Sequence, residues 1–380
     1  MKSLSHLEEW VLSKGIVKFR AKQIYQAVAK ELISDWHEAK GLPKDLQDIL
    51  VEELPISELK VKTVLPAPSR EQPWLFPANA NTVKIAFETH DKLIIESVLM
   101  RHEGERNTVC VSTQVGCPMN CAFCATGKMG LTRNLTSEEI VDQVLEFSRI
   151  LKPENAVVKS VVFMGMGEPF LNYENVMEAI KILNDGQGFN LGIRHITIST
   201  SGIVPEILRF ADEKVQIHPA KPNNKIGIGS GGVNLAISLH APNNEIRNQL
   251  MPVNKKYPLE KLLPAISNYM EKTGRKVFFE YILLKGINDS KENIEELIDL
   301  MRKYFPNQFN LVHINLIEYN ETDGSDFQSP NKEHVQKIFD LLQKNKILST
   351  IRYRFGDEIS AACGQLAACP PKVRTDENKV

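Results

Sequence analysis

The chain has 380 residues, 42% hydrophobic and 24% charged, with 46 Lys and Arg against 47 Asp and Glu for a formal net charge of −1. That composition excludes wholesale disorder, and the balanced charge provides no global basic excess to advertise a nucleic-acid partner. No apolar run approaches the roughly 18 residues of a membrane span, and MKSLSHLEEWVLSKG is acidic where a signal peptide is apolar, so a cytoplasmic chain with no membrane attachment is expected.

The first 55 or so residues read as short amphipathic helices. Leu7, Trp10, Val11 and Leu12 precede a break at Gly15; Ile24, Ala27, Val28 and Leu32 form a second stripe; Leu46, Ile49 and Leu50 follow Pro43. Residues 66–81 are Pro-rich and read as a connector, and VKIAFET and KLIIESVLM flank the turn His90-Asp91 as a hairpin. From residue 108 strand-like runs recur at 108–113, 158–164, 195–200, 233–239, 276–284 and 309–317, with STIRYRF as a further strand. Helix-like runs lie near 137–151, 174–185, 203–212, 258–272, 290–304 and 332–345, the first opened by a Thr136/Glu139 capping box. Six β/α units in series imply a parallel sheet with right-handed crossovers. The expected fold is α/β, a partial (β/α)6 barrel of TIM type with a small helical N-terminal domain; a doubly wound open sheet is the alternative. The divisions are 1–65 helical, 66–104 linker and hairpin, 105–357 core, and 358–380 a C-terminal segment. Residues 218–232, rich in Gly, Pro and Asn, read as a long surface loop.

Six cysteines are too few and too clustered for a disulfide framework, which points to metal or redox chemistry. Three of them, Cys117, Cys121 and Cys124, form a C-x3-C-x2-C array in GCPMNCAFCATG. Thiolate is the favoured ligand of iron–sulfur clusters and zinc, and a four-iron cluster held by three cysteines keeps one iron for another ligand. A zinc site completed by a remote His is the competing reading. MGMGEP (164–169), STSG (199–202), SLH (238–240) and Asn320 all fall at C-terminal ends of expected strands, the face on which barrel enzymes build active sites. Read alone, each could be a mere connection, and Cys110, Cys363, Glu96 and His240 could each be ordinary structural residues.

The cysteine array resembles that of the radical S-adenosylmethionine (SAM) superfamily. With FRAKQIYQ (19–26), IESVLMRH (95–102) and AACGQLA (361–367), the chain closely resembles the RlmN/Cfr family of radical-SAM RNA methyltransferases over nearly its whole length. The resemblance implies a [4Fe-4S] cluster on Cys117, Cys121 and Cys124, and SAM contacts from Gly167, Glu168, Ser199, Ser238, Leu239, His240 and Asn320. It further implies that Cys363 accepts a methyl group from one SAM and that a radical from a second SAM removes hydrogen from it. The methylene then adds to an electron-poor adenine carbon, and Cys110 releases the RNA through a Cys110–Cys363 disulfide. Glu96 matches the proton acceptor. The implied substrates are adenosine in the peptidyl-transferase region of 23S rRNA and the adenosine 3′ to the anticodon in tRNA, served by a monomer with an external electron donor. MGMGEP and LNYENV resemble the carbon-2 branch, which is the reading taken; Phe355-Gly356, within Arg354 to Glu358, resembles the carbon-8 branch, which is the alternative. A radical-SAM enzyme with a non-RNA substrate and a zinc-stabilised RNA-binding protein are the other competitors. Cys369 matches no family position.

Overall fold

The computed structural model describes residues 1–66, 81–104, 106–213, 232–322, 325–352, 356 and 359–367. Three helices open the chain. Helix α1 (Leu4–Ser13) is capped by Ser3 and ends where Gly15 takes φ 70°; α2 (Phe19–Ala29) and α3 (Lys44–Glu53) follow. Leu7, Val11, Ile24, Val28, Leu46 and Leu50 are buried as the periodicity requires, but Leu12 and Ile49, assigned to the same stripes, are exposed.

Strand β1 (Lys60–Leu65) was not anticipated; it extends into an antiparallel meander with β2 (Thr82–Glu88) and β3 (Ile94–His102). The β2–β3 turn is closed by Thr89 N–H donating to Leu93 O at 2.9 Å. The Pro-rich connector lies largely outside the described residues, as does the 218–232 loop apart from Gly232.

The core begins with β4 (Arg106–Cys110), followed by an unanticipated two-stranded hairpin, β5 (Gln114–Cys117) and β6 (Gly130–Asn134). Helix α4 (Ser137–Leu151) then starts at the capping box, Thr136 accepting from Glu139 N and Glu139 from Thr136 N. Regular alternation follows: β7 (Val158–Phe163), α5 (Tyr173–Asn184), β8 (Ile196–Thr200), α6 (Val204–Asp212) and β9 (Asn234–Ser238). The short α7 (Asn244–Leu250), which the sequence reading missed, precedes α8 (Leu259–Thr273), β10 (Val277–Leu283), α9 (Lys291–Tyr304), β11 (Val312–Glu318), α10 (Lys332–Lys344) and β12 (Leu348–Ile351).

Among the described residues, ten strands form one sheet in the order β1-β2-β3-β4-β7-β8-β9-β10-β11-β12. From β4 onward every pairing is parallel and spatial order follows chain order without reversal. A doubly wound sheet must reverse its order at a switch point. Monotonic order with right-handed crossovers instead keeps the helices on one face, as in a barrel. All C-terminal strand ends therefore open on one rim, and the antiparallel meander extends the β4 edge.

The N-terminal helices are tied to this core. The Tyr25 hydroxyl donates to Ile182 O at 3.2 Å, and Asp142 on α4 accepts from Ser57 Oγ at 3.0 Å and Glu58 N at 2.6 Å. Among the described residues no helix is long and apolar enough to cross a membrane.

Candidate active site

The cysteine loop hangs from the β5–β6 hairpin. Gly116 has φ 78°, and a Cβ there would stand 1.9 Å from Gly130 O, so only glycine lets the two strands close beneath Cys117. The loop is then fixed from two sides: Ala122 N–H donates to Leu250 O at 2.9 Å and Ala125 N–H to Gly364 O at 2.8 Å. Cys117, Cys121 and Cys124 line one wall of a cavity on the barrel rim. Burial pushes the Cys117 thiol up to about 12 and Cys121 well above its usual value, with charge on the neighbouring cysteines adding to both.

The strand ends complete the rim. Gly167 takes φ 104° after β7, and a Cβ would meet Gln114 Cβ at 2.6 Å, so the backbone approaches the cavity bare. Glu168 beside it is buried and receives Ser201 N–H at 2.7 Å and Phe170 N–H at 3.1 Å; burial raises its carboxyl, which the Ser201 bond opposes. Ser199, Ser238, His240 and Asn320 line the same space. Leu239 does not: its side chain is fully buried in the hydrophobic core, leaving only backbone to face the rim.

His240 adopts φ 59° and its Nδ1 accepts Ile282 N–H at 3.0 Å, so the ring proton sits on Nε2. Burial, aided by the charge of Arg247, pushes its pKa down from 6.5 to about 3. Between those values the unfolded chain holds the extra proton, so stability falls as pH drops, by up to about 1.4 kcal/mol per unit. His240→Asn keeps an acceptor and tolerates a positive φ. Its urea midpoint is expected to change less between pH 7 and pH 5 than that of the parent protein.

Cys110, at the end of β4, and Cys363, exposed on the C-terminal segment, line the same cavity. Both are free thiols; burial pushes the Cys110 thiol up to about 12, and the Arg352 guanidinium pulls both thiols down. Asn320 Nδ2 donates to Cys363 O at 3.3 Å, and Thr126 Oγ1 donates to Leu366 O three residues further on. Glu96 shares the β3 face that presents Val98 and Met100 to the cavity, yet does not itself line it. Its carboxylate is buried against Lys84 Nζ at 2.9 Å and accepts Ala367 N–H at 3.0 Å, so the Cys363 segment covers it. Cys369 and Phe355 lie outside the described residues.

Three participants escaped the sequence reading. Glu280 and Arg352 pair at 3.1 Å in the cavity wall, and Lys84 meets Glu96. Glu280 and Lys84 each interrupt an apolar strand with a lone charge, a signal that was present in the sequence.

The donor set suits a cluster with SAM beside it. Three thiols flank the cavity, and three buried polar atoms of its wall, Ser201 Oγ, Glu280 Oε2 and Asn320 Oδ1, have no hydrogen-bond partner among the described residues. Among the described residues no three His, Cys, Asp or Glu side chains are gathered as a ligand set for a single ion. A four-iron cube takes its thiolates at separate corners, so it requires three thiols around a space rather than convergence on a point.

Fold and site define the class, and the model of the radical SAM superfamily matches residues 111–301. A Geobacillus kaustophilus protein described as a probable dual-specificity RNA methyltransferase RlmN is 42% identical over 98% of this chain and 93% of its own length. Its Enterococcus faecalis counterpart is 41% identical over 98% of this chain and 96% of its own length. The crystal structure of a radical SAM methyltransferase from Sphaerobacter thermophilus superposes with a TM-score of 0.85 at 41% identity, covering 97% of this chain and 98% of that one. The chain belongs to the RlmN family of radical-SAM RNA methyltransferases. Its cofactors are accordingly a [4Fe-4S] cluster and SAM.

Proposed function

We propose that this enzyme methylates carbon 2 of adenosine in the peptidyl-transferase region of 23S rRNA, and the adenosine 3′ to the anticodon in tRNA, with Cys363 as the methyl carrier. The observation that carries the reading is the presence of Cys110 and Cys363 in the same cavity as the three-cysteine loop. A radical-SAM enzyme without a protein-bound methyl carrier has no need of two further thiols there.

Cys117, Cys121 and Cys124 hold the cluster, and Gly167, Glu168, Ser199, Ser238, His240, Asn320 and the Leu239 backbone frame SAM. When bound, cluster and SAM together supply a carbon-centred radical able to remove hydrogen from an unactivated methyl group. Cys363, as thiolate, would first take the methyl group of SAM, S-adenosylhomocysteine leaving, and after hydrogen removal it would bear the carbon that bonds to adenine. Cys110 thiolate would then attack the Cys363 sulfur, forming the S–S bond as the S–CH2 bond breaks; the carbon would leave with the bonding pair and take a proton to become the methyl, the odd electron of the radical adduct having returned to the cluster. Arg352 favours both thiolates by its charge. Glu96 takes the adenine proton once the segment carrying Ala367 has shifted, because Ala367 N–H and Lys84 otherwise occupy its carboxylate.

In this role residues 1–65 form the RNA-binding accessory, with β1 (Lys60–Leu65) lending its edge to the meander, 66–104 the linker and the rest of the meander, 105–357 the core and 358–380 the methyl-carrying segment. The enzyme acts as a cytoplasmic monomer fed by an external electron donor. With a net charge of −1, recognition rests on local patches and unstacked bases rather than a broad phosphate-binding face.

Peptide mass spectrometry of anaerobically purified protein should find one added methyl on Cys363, lost or altered in Cys117→Ala. Nucleoside analysis of treated RNA should yield 2-methyladenosine. Unmodified Cys363 beside an intact cluster would sink the carrier role, and 8-methyladenosine would move the enzyme to the carbon-8 branch.

A further inference from the structure

Arg247, on α7, is fully buried, and its guanidinium spends its hydrogen bonds on uncharged acceptors. Nε donates to Leu239 O at 3.1 Å, Nη1 to Asn254 Oδ1 at 2.7 Å, and Nη2 to Ser201 O and Ser238 O at 2.8 and 3.1 Å. Among the described residues no carboxylate pairs with it. Glu168 is reached only through Ser201, whose N–H donates to the carboxylate while its carbonyl accepts from Arg247. A buried cation without an anion beside it is costly, and three backbone carbonyls and an amide compensate it only in part.

Its acceptors Ser201 O and Ser238 O belong to residues that line the cavity beside the three cysteines. Helix α7 abuts the cysteine loop where Leu250 O accepts Ala122 N–H, and Ile246, Cys121 and Cys124 pack on the same small apolar cluster around Phe123 and Leu250. Three thiolates leave a four-iron cluster anionic, and one-electron reduction adds further negative charge. A fixed cation in a low-dielectric wall therefore stabilises the reduced form more than the oxidised form.

We propose that Arg247 is the built-in counter-charge of the cluster and raises its reduction potential, while its fork ties together the β8 and β9 rim loops. The inference rests on the cluster being held by Cys117, Cys121 and Cys124. Arg247 is a positioning and electrostatic residue and touches no reacting atom.

The test is an anaerobic redox titration followed by electron paramagnetic resonance on the holoprotein, Arg247→Gln and Arg247→Lys, with iron content and thermal unfolding measured on each. Arg247→Gln keeps a donor but loses the charge. The ratio of reduced to oxidised cluster at a fixed solution potential is expected to fall about tenfold, or about 59 mV for a one-electron couple. Arg247→Lys keeps the charge but loses the fork, so it should melt lower than the parent while its midpoint ratio stays within about twofold. A parental midpoint in Arg247→Gln overturns the proposal, as does a Lys variant displaced as far as the Gln variant, which would reduce the guanidinium to a structural tie. If Arg247→Gln retains no iron, Arg247→Lys decides alone: a parental midpoint supports the counter-charge and a tenfold fall overturns it. Absence of a cluster signal in the parent protein would overturn the cluster assignment itself, and Arg247's role with it.

Discussion

Replacing Cys110 with alanine is expected to leave RNA covalently attached to the protein through Cys363 and to lower released methylated RNA at least about a thousandfold. The two thiols share a cavity but sit on different supports. Cys110 ends a central strand paired on both sides, with Val98 opposite it on β3 and Val162 on β7. Cys363 rides on a segment tied by single hydrogen bonds such as those from Asn320 Nδ2 and Ala125 N. The fixed thiol suits an attacking role and the tethered one suits a carrier. Cys363→Ala should therefore abolish both product and adduct, and the double variant should behave like Cys363→Ala alone. Denaturing electrophoresis with labelled RNA, followed by nuclease digestion and mass spectrometry of the Cys363 peptide, distinguishes these outcomes. Multiple turnover by Cys110→Ala would remove the resolving role.

Gly116→Ala should have the other large effect, through backbone geometry rather than chemistry. Its new Cβ would lie 1.9 Å from Gly130 O at φ 78°, where neither a rotamer change nor a flexible neighbour offers relief. The β5–β6 pairing must open at Gly116, next to the residue that presents Cys117. We expect a loss of about 3 kcal/mol or more in urea unfolding and an iron content below about one tenth of the parent. Gly15→Ala is the control: it has φ 70° with nothing within 4 Å, so it should cost about 1–2 kcal/mol and retain iron. Full iron loading in Gly116→Ala would show that the hairpin does not govern cluster binding.

The long amphipathic elements were legible because their patterns are redundant. Helix α4 carries a capping box together with Ile140, Val144, Phe147 and Leu151 on its apolar side, so several independent signals agree. Helix α7 has only seven residues, too few for a periodicity to emerge. The β5–β6 hairpin was missed because its two strands pair across the cysteine loop, and Gly116 and Gly130 announce a turn more loudly than a strand. Val111 to Thr113 read as strand, but the ladder ends at Cys110 and the chain leaves to form the hairpin. Glu96 was legible as a candidate carboxylate by resemblance, whereas its burial under Ala367 was not, since a contact between residues 271 apart leaves no local trace.

By itself the sequence determined the order and type of the main elements, the cysteine spacing and the chemistry those side chains can support. These are local properties, set by side-chain period, caps and ligand preference. Only the tertiary structure decided between a singly and a doubly wound sheet, because strand order depends on which edges pair rather than on any segment's own pattern. It alone brought Cys110 and Cys363 into one cavity, withdrew Leu239 into the core, covered Glu96 and buried the Arg247 guanidinium among uncharged acceptors. Those facts arise from long-range packing, where burial fixes the meaning of a charge only after the whole sheet has closed around it.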